Sequence, residues 1–157
     1  MTIKSWDKRP LYLAADHGGY QLKKRLARYL KNELKIKFID LGAKTYNEQD
    51  DYPDFIIPAA KKTVKTNGRG IFICGSGTGV CMAANKVKGM RAALAYNIES
   101  ARLSRLHNNS NGLCLGGRVL SEDHAMAIVK KWLETEEFLG GKYERRNKKL
   151  EKLENKK

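Results

Sequence analysis

Ile71-Phe72-Ile73-Cys74-Gly75-Ser76-Gly77-Thr78-Gly79-Val80 is the stretch on which the fold turns. An apolar run ends on a cysteine, glycines follow at alternate positions, and Met82-Ala83-Ala84-Asn85-Lys86 continues with helical composition. The stretch reads as strand, turn, helix. Glycines strip the turn of side chains, so backbone N–H groups can converge on a small anion beside a thiol. A tight turn after a buried cysteine explains the same letters, so the turn gains meaning only from what joins it.

Outward from this turn, strand and helix alternate. Leu11–Ala15 reads as a strand that ends at Asp16-His17-Gly18-Gly19. Residues 20–33 have helical spacing, with Leu22, Leu26, Tyr29 and Leu30 on one face. A second strand is expected over Ile36–Asp40, then a turn-rich segment Leu41–Pro53. A helix over 54–66 should stop at Asn67-Gly68. Gly70–Cys74 is the third strand, with a helix over 79–87. Ala92–Ala95, a helix over 97–107 and the strand Gly112–Leu115 follow. Ser121, with Glu122 and Asp123 behind it, opens a helix over 121–135. This alternation predicts an α/β chain: a three-layer Rossmann-like fold with a five-stranded parallel sheet and helices on both faces. Three polar clusters then fall at strand ends: Asp16-His17, Cys74–Gly79 and Gly116-Gly117-Arg118. Ligands of such sheets bind at that edge.

Composition bounds the answer. The chain has 157 residues, enough for one full core, and 41% apolar residues with no run of membrane-span length. Its opening residues lack the apolar core of a signal peptide. Three cysteines with no CxxC spacing disfavour a disulfide scaffold or a zinc site and fit a reducing cytoplasm. The formal charge of +14 invites a nucleic-acid reading. Residues 142–157, however, carry eight Lys/Arg and three Glu, so a charged terminal helix supplies +5 of it. A solvated helix is the usual meaning of such a run, no aromatic RNA-binding motif accompanies it, and nucleic acid is not the expected partner.

Several residues can carry chemistry. Cys74 stands at a helix N-terminus, where backbone dipoles favour a thiolate; its bland role is a small apolar strand residue. Cys81 and Cys114 fit that bland role better. The Gly75-x-Gly77-x-Gly79 turn lacks the final spacing of a dinucleotide fingerprint, and it follows the third strand rather than the first. His17 can hydrogen-bond a phosphate or a sugar hydroxyl; Asp16 can equally be a helix cap. His107 can exchange protons near neutral pH or merely complement a helix dipole. Arg118, Lys142, Arg145 and Arg146 are candidate phosphate binders. His124, without polar company, reads as structural.

Taken together, Asp16-His17-Gly18, Asp51-Tyr52-Pro53, the Cys74–Gly79 turn, Ala83-Ala84-Asn85-Lys86, Ser104–Asn108, Gly116-Gly117-Arg118 and Gly140-Gly141-Lys142…Arg146 resemble the type B ribose-5-phosphate isomerase family. That family also includes the galactose-6-phosphate isomerase subunits. The resemblance implies a sugar-phosphate isomerase domain over 10–141, an N-terminal extension over 1–9, and a basic helical tail over 142–157 that packs on a partner subunit. It implies aldose–ketose isomerisation without metal or organic cofactor. Ribose 5-phosphate is the first expectation as substrate; allose 6-phosphate, galactose 6-phosphate and a non-catalytic sensor are the alternatives. Cys74 resembles the base, and Gly75, Ser76, Gly77 and Gly79 resemble the hole for the enediolate. Ser76 is placed to help move protons between the sugar oxygens. His107 resembles the ring opener, with Asp16 near the ring oxygen and Asn108 near the reacting oxygens. His17, Arg118 and Arg146 resemble phosphate contacts, with Lys142 standing where many members have Arg. One branch of the family carries a Glu base six positions after Cys74; Val80 stands there, which indicates the Cys branch. Thr78 and Glu99 also depart from the family pattern. The resemblance further implies a cytoplasmic homodimer with shared sites, or a tetramer of such dimers.

Overall fold

The computed structural model describes residues 8–156. Of the extension expected over 1–9, residues 1–7 lie outside the described residues. The strands are β1 (Leu11–Ala15), β2 (Ile39–Asp40), β3 (Arg69–Cys74), β4 (Ala92–Leu94) and β5 (Gly112–Gly116). The helices are α1 (Tyr20–Asn32), α2 (Tyr52–Lys65), α3 (Thr78–Asn85), α4 (Ile98–Asn108), α5 (Glu122–Glu134) and α6 (Lys142–Glu154). All five strands are parallel, in the order β2-β1-β3-β5-β4.

Side chains alternate across each strand, and the two faces bury two separate apolar clusters. Leu11, Leu13, Ile71, Ile73, Leu113 and Leu115 face α1 and α5. Ala14, Phe72, Cys74 and Cys114 face α2 and α3. The face expected of α1, Leu22-Leu26-Tyr29-Leu30, is buried in the first cluster. Trp132 of α5 is fully buried there, and its indole N–H donates to Ser110 Oγ at 2.9 Å. Truncating such a side chain to Ala costs about 3–5 kcal/mol.

Local chemistry sets the boundaries. Ser121 caps α5 through its Oγ, which accepts from the His124 N–H at 3.2 Å. Asn67 takes φ +50° just past α2, where the Gly68 N–H donates back to Thr63 O at 2.8 Å. Two expectations shift. The second strand keeps only Ile39–Asp40 of Ile36–Asp40, because the Ile36 N–H donates to Leu30 O and Lys35 turns at φ +56°. The helix expected from residue 54 begins at Tyr52, since Pro53 is tolerated in a first turn. The charged helix α6 folds back on its own chain: Asn147 Nδ2 donates to His107 O at 2.9 Å, and the Gly89 N–H donates to Glu154 Oε2 at 3.2 Å.

The strand order reverses between β1 and β3. The loops that leave these two strands diverge to opposite faces and open a crevice at their carboxyl ends. Asp16-His17 leaves β1 there and Gly75–Gly77 leaves β3. The loops touch backbone to backbone: a Cβ on Gly18 would stand 2.7 Å from the Gly75 nitrogen.

Candidate active site

Cys74 ends β3 with its sulfur on the α2/α3 side, 5% exposed. The chain then turns through Gly77 at φ +83°, a conformation open to glycine at no steric cost. This turn brings the Gly77 N–H to 3.2 Å from Cys74 Sγ. An N–H aimed at the sulfur gives a negative charge there a partner at the start of α3. The Thr78 N–H donates to Ser76 Oγ at 3.2 Å, which holds that hydroxyl at the lip of the turn. Tyr96 donates from its hydroxyl to Ser76 O at 3.0 Å and props the turn from outside.

The cleft above this turn has a volume of about 510 Å³. Asp16, His17, Tyr52, Cys74, Gly75, Ser76, Gly79, Arg118 and Val119 line it. Arg118 lies across Gly75, with its guanidinium 3.4 Å from where a Cβ would stand, and the Tyr52 ring covers Gly79 at 2.8 Å by the same measure. Asp16 is 5% exposed and caps the turn after β1, its Oδ1 accepting from the Gly19 N–H at 3.2 Å. Burial raises its carboxyl above the ordinary value, an effect that His17 partly offsets. The cap and the cleft position are compatible, and Asp16 has both.

His17 is gripped by a residue absent from the sequence-level set. Asp50 Oδ1 accepts from the His17 backbone N–H at 3.0 Å and lies 2.6 Å from its Nδ1. This hydrogen bond is the main cause that raises the His17 imidazole above its usual range. Asp16, His17 and Asp50 each bring a carboxylate oxygen or ring nitrogen within 4.8 Å of the others, so two carboxylates flank the imidazole. In this structure His17 Nδ1 and Asp50 Oδ1 are engaged with each other.

Gly77 sits in the turn without lining the cleft, and four further expected residues lie elsewhere in the chain. His107, at the end of α4, stacks on Tyr143 of α6 with centroids 4.1 Å apart and rings 3° from parallel. Lys142 Nζ lies 5.2 Å from the Tyr143 centroid and the Arg146 guanidinium carbon 5.9 Å. Asn108 is exposed beside this cluster, and its carbonyl accepts from Arg91 Nε at 3.1 Å. The expected set thus divides into a cleft cluster and an α4–α6 cluster. Arg145 is exposed on α6, and His124 is exposed in the first turn of α5.

The thiols also differ from the simple expectation. Cys81 is held near a pKa of about 7, chiefly by a hydrogen bond from the Cys114 thiol, with the backbone at Leu94 and the Asn85 amide adding to it. Cys114 is fully buried and its thiol is pushed well up. Val80 is fully buried in the apolar cluster beneath α3. A larger groove of about 800 Å³ lies at the amino ends of β1 and β2, among Pro10, Leu11, Phe38 and Ile39. Its charged lining is wholly basic, with Lys8, Arg9, Lys31, Lys35 and Lys37, and it holds none of the residues expected to carry the chemistry.

A parallel sheet with a thiol, a glycine turn and a cationic rim at its switch point defines a small-anion site of α/β type. The ribose/galactose isomerase family model matches residues 11–150, and the chain belongs to that family. The probable ribose-5-phosphate isomerase B of Mycoplasma genitalium is 42% identical over 146 residues, 92% of this chain and 95% of that one. Ribose-5-phosphate isomerase B of Mycobacterium tuberculosis is 44% identical over 137 residues, covering 87% and 84% respectively. Among solved structures, the M. genitalium ribose-5-phosphate isomerase B with bound ribulose 5-phosphate superposes with a TM-score of 0.91. It is 40% identical and covers 96% of this chain and 99% of its own. The Clostridium thermocellum ribose-5-phosphate isomerase B gives 0.88 at 44% identity, covering 94% and 98%. Among the described residues, no helix is long and apolar enough to cross a membrane.

Proposed function

We propose that this chain interconverts ribose 5-phosphate and ribulose 5-phosphate through an enediolate, with Cys74 as the base. The thiolate takes the proton from C2 of the open-chain aldose and the electron pair moves to O1; a proton passes from O2 to O1 beside the Ser76 hydroxyl, the carbonyl forms at C2, and the thiol returns its proton to C1. The charge that develops on oxygen needs donors aimed at it, and the turn Gly75–Gly79 supplies backbone N–H groups at a helix N-terminus. The observation that carries the reading is the Gly77 N–H on Cys74 Sγ at 3.2 Å, at the floor of a cleft that also holds Asp16, His17 and Arg118. The buried Val80 supports a thiol rather than a carboxylate base. The ligand bound to the M. genitalium relative supports the pentose.

The α4–α6 cluster enters from a second subunit. His107 opens the furanose ring, Asn108 meets the reacting oxygens, and Lys142 and Arg146 close on the phosphate. The division of the expected residues into two clusters supports a homodimer with sites shared across its interface. Exposed Leu150 and Leu153 on α6, with Met82 on α3 and Ile98 on α4, give such a dimer apolar surface to bury.

The test is ribulose 5-phosphate formation by the wild type and by Cys74→Ala with EDTA present. Loss of a general base costs about 10²–10⁴ in kcat. A variant within tenfold of wild type overturns the thiol base. An inactive wild type that isomerises allose 6-phosphate or galactose 6-phosphate instead overturns the pentose assignment.

A further inference from the structure

Asp50 lies on the loop between β2 and α2, 33 residues beyond His17 and directly before the Asp51-Tyr52-Pro53 motif. Its side chain is 9% exposed, and its hydrogen bonds go to His17 alone among the described partners. One oxygen takes both the backbone N–H and Nδ1 of that residue; the other is buried without a partner among the described residues. A carboxylate bonded to both the backbone and the ring of one histidine fixes the rotamer and the tautomer together. Nδ1 then donates to Asp50, and Nε2 carries an N–H as well when the ring is an imidazolium; Nε2, on the far edge of a ring that lines the cleft, has no protein partner among the described residues.

We propose that Asp50 is a positioning residue, which orients His17 so that Nε2 presents an N–H to the phosphate of the substrate. The proposal rests on the isomerase reading for the identity of the anion, but not for the grip itself. An imidazole with one nitrogen held by a carboxylate stays cationic at higher pH than a free one, and a cation is what a phosphate dianion requires. The groups that face His17 act in both directions. Asp16, with Oδ2 3.8 Å from Nδ1, and Asp50 favour the imidazolium, whereas Arg118 opposes it. Tyr46 meets the ring edge-on at 6.4 Å, and Tyr52 and Cys74 line the same cleft. Two carboxylates thus balance the imidazolium and the Arg118 guanidinium, and the incoming phosphate finds two forked or directional donors rather than a bare excess of positive charge.

The loop has a second attachment. Asp51 and Tyr52 follow Asp50 directly, and the Tyr52 ring covers Gly79 of the catalytic turn. The segment that orients the phosphate end therefore also packs on the end where the proton moves.

The experiment compares wild type, Asp50→Asn, His17→Ala and the double variant. Two quantities are read from pH 5.5 to 9: the His17 ring titration by NMR and the inhibition constant of inorganic phosphate. In Asp50→Asn the His17 titration is expected to move down toward its ordinary value of 6.5. Phosphate binding should weaken about tenfold at pH 8 and recover below pH 6, where the ring protonates unaided. kcat should change less than KM, and Asp50→Asn should add nothing on a His17→Ala background. An unmoved His17 titration, or a pH-independent and additive loss of phosphate binding, overturns the proposal. The NMR titration does not depend on turnover, so failure of the isomerase reading and failure of this proposal are distinguishable.

Discussion

The Gly77 N–H donates to Cys74 Sγ at 3.2 Å because the chain turns back at Gly77 through φ +83°. The sulfur and the first N–H of the proposed enediolate hole are therefore set by one backbone torsion. Gly77→Ala tests this relationship. Its Cβ would stand 2.7 Å from Leu94 Cδ1 and 2.8 Å from the Leu115 carbonyl carbon, in a backbone conformation that side chains resist. A stability loss of about 1–3 kcal/mol is expected from the torsion alone. Loss of an aimed donor should lower kcat about 10²–10³-fold. Urea unfolding and steady-state kinetics on one preparation check both; full activity in a destabilised variant would separate the torsion from the chemistry.

Asp16 should show the opposite balance. Burial raises its carboxyl above 3.8, so the folded protein binds that proton more readily than the unfolded chain. The ionised carboxylate therefore costs stability, and the cost disappears as pH falls through the raised value. Asp16→Asn keeps an oxygen for the Gly19 N–H and removes the charge. Its Tm at pH 7 is expected to rise by a few degrees while activity falls, and the gain should shrink toward pH 4. A lower Tm at pH 7 contradicts this reading.

The proposed sharing of the site across a dimer predicts complementation. Cys74→Ala and His107→Ala should each be inactive alone. Mixed by unfolding and refolding together, half of the dimers carry one intact site of two, so about a quarter of wild-type activity should return. No recovery in refolded mixtures that are shown to be dimeric places both residues in one chain's site.

Cys81 is expected to react with alkylating reagents near neutral pH, ahead of the buried Cys114. The Cys114 S–H stabilises its thiolate and holds it near about 7. Mass-mapped iodoacetamide labelling should show a Cys81 midpoint near this value, and Cys114→Ala should move it toward 9. Labelling that starts only above pH 8.5 in the wild type rejects the hydrogen bond. A covalent inhibitor aimed at Cys74 would have to discriminate against this neighbour.

The sheet was legible because buried parallel strands are short apolar runs, and Leu11–Ala15 and Ile71–Cys74 are bounded by unmistakable turns. The edge strand β2 was not, since Ile36 and Phe38 are apolar but pack outside the ladder. In the site, Cys74, Gly77 and Asp16 are neighbours along the chain or lie at strand ends, so their pattern shows. Asp50 reaches His17 across a loop, Tyr143 stacks on His107 between two helices, and Cys114 touches Cys81 from strand to helix. Such pairs depend on how elements pack, and no periodicity in a single segment encodes them.

Helix α6 sets where the chain tolerates surgery. Its first turn supplies the ring against His107, its middle buries Asn147, and its last turn lends Glu154 to the Gly89 N–H. A truncation at Gly141 would remove the partner of a proposed catalytic histidine as well as a cluster of charges. An affinity tag or fused domain joined after Asn155 leaves all three attachments in place, so the permissive boundary lies only two residues from the end of the sequence.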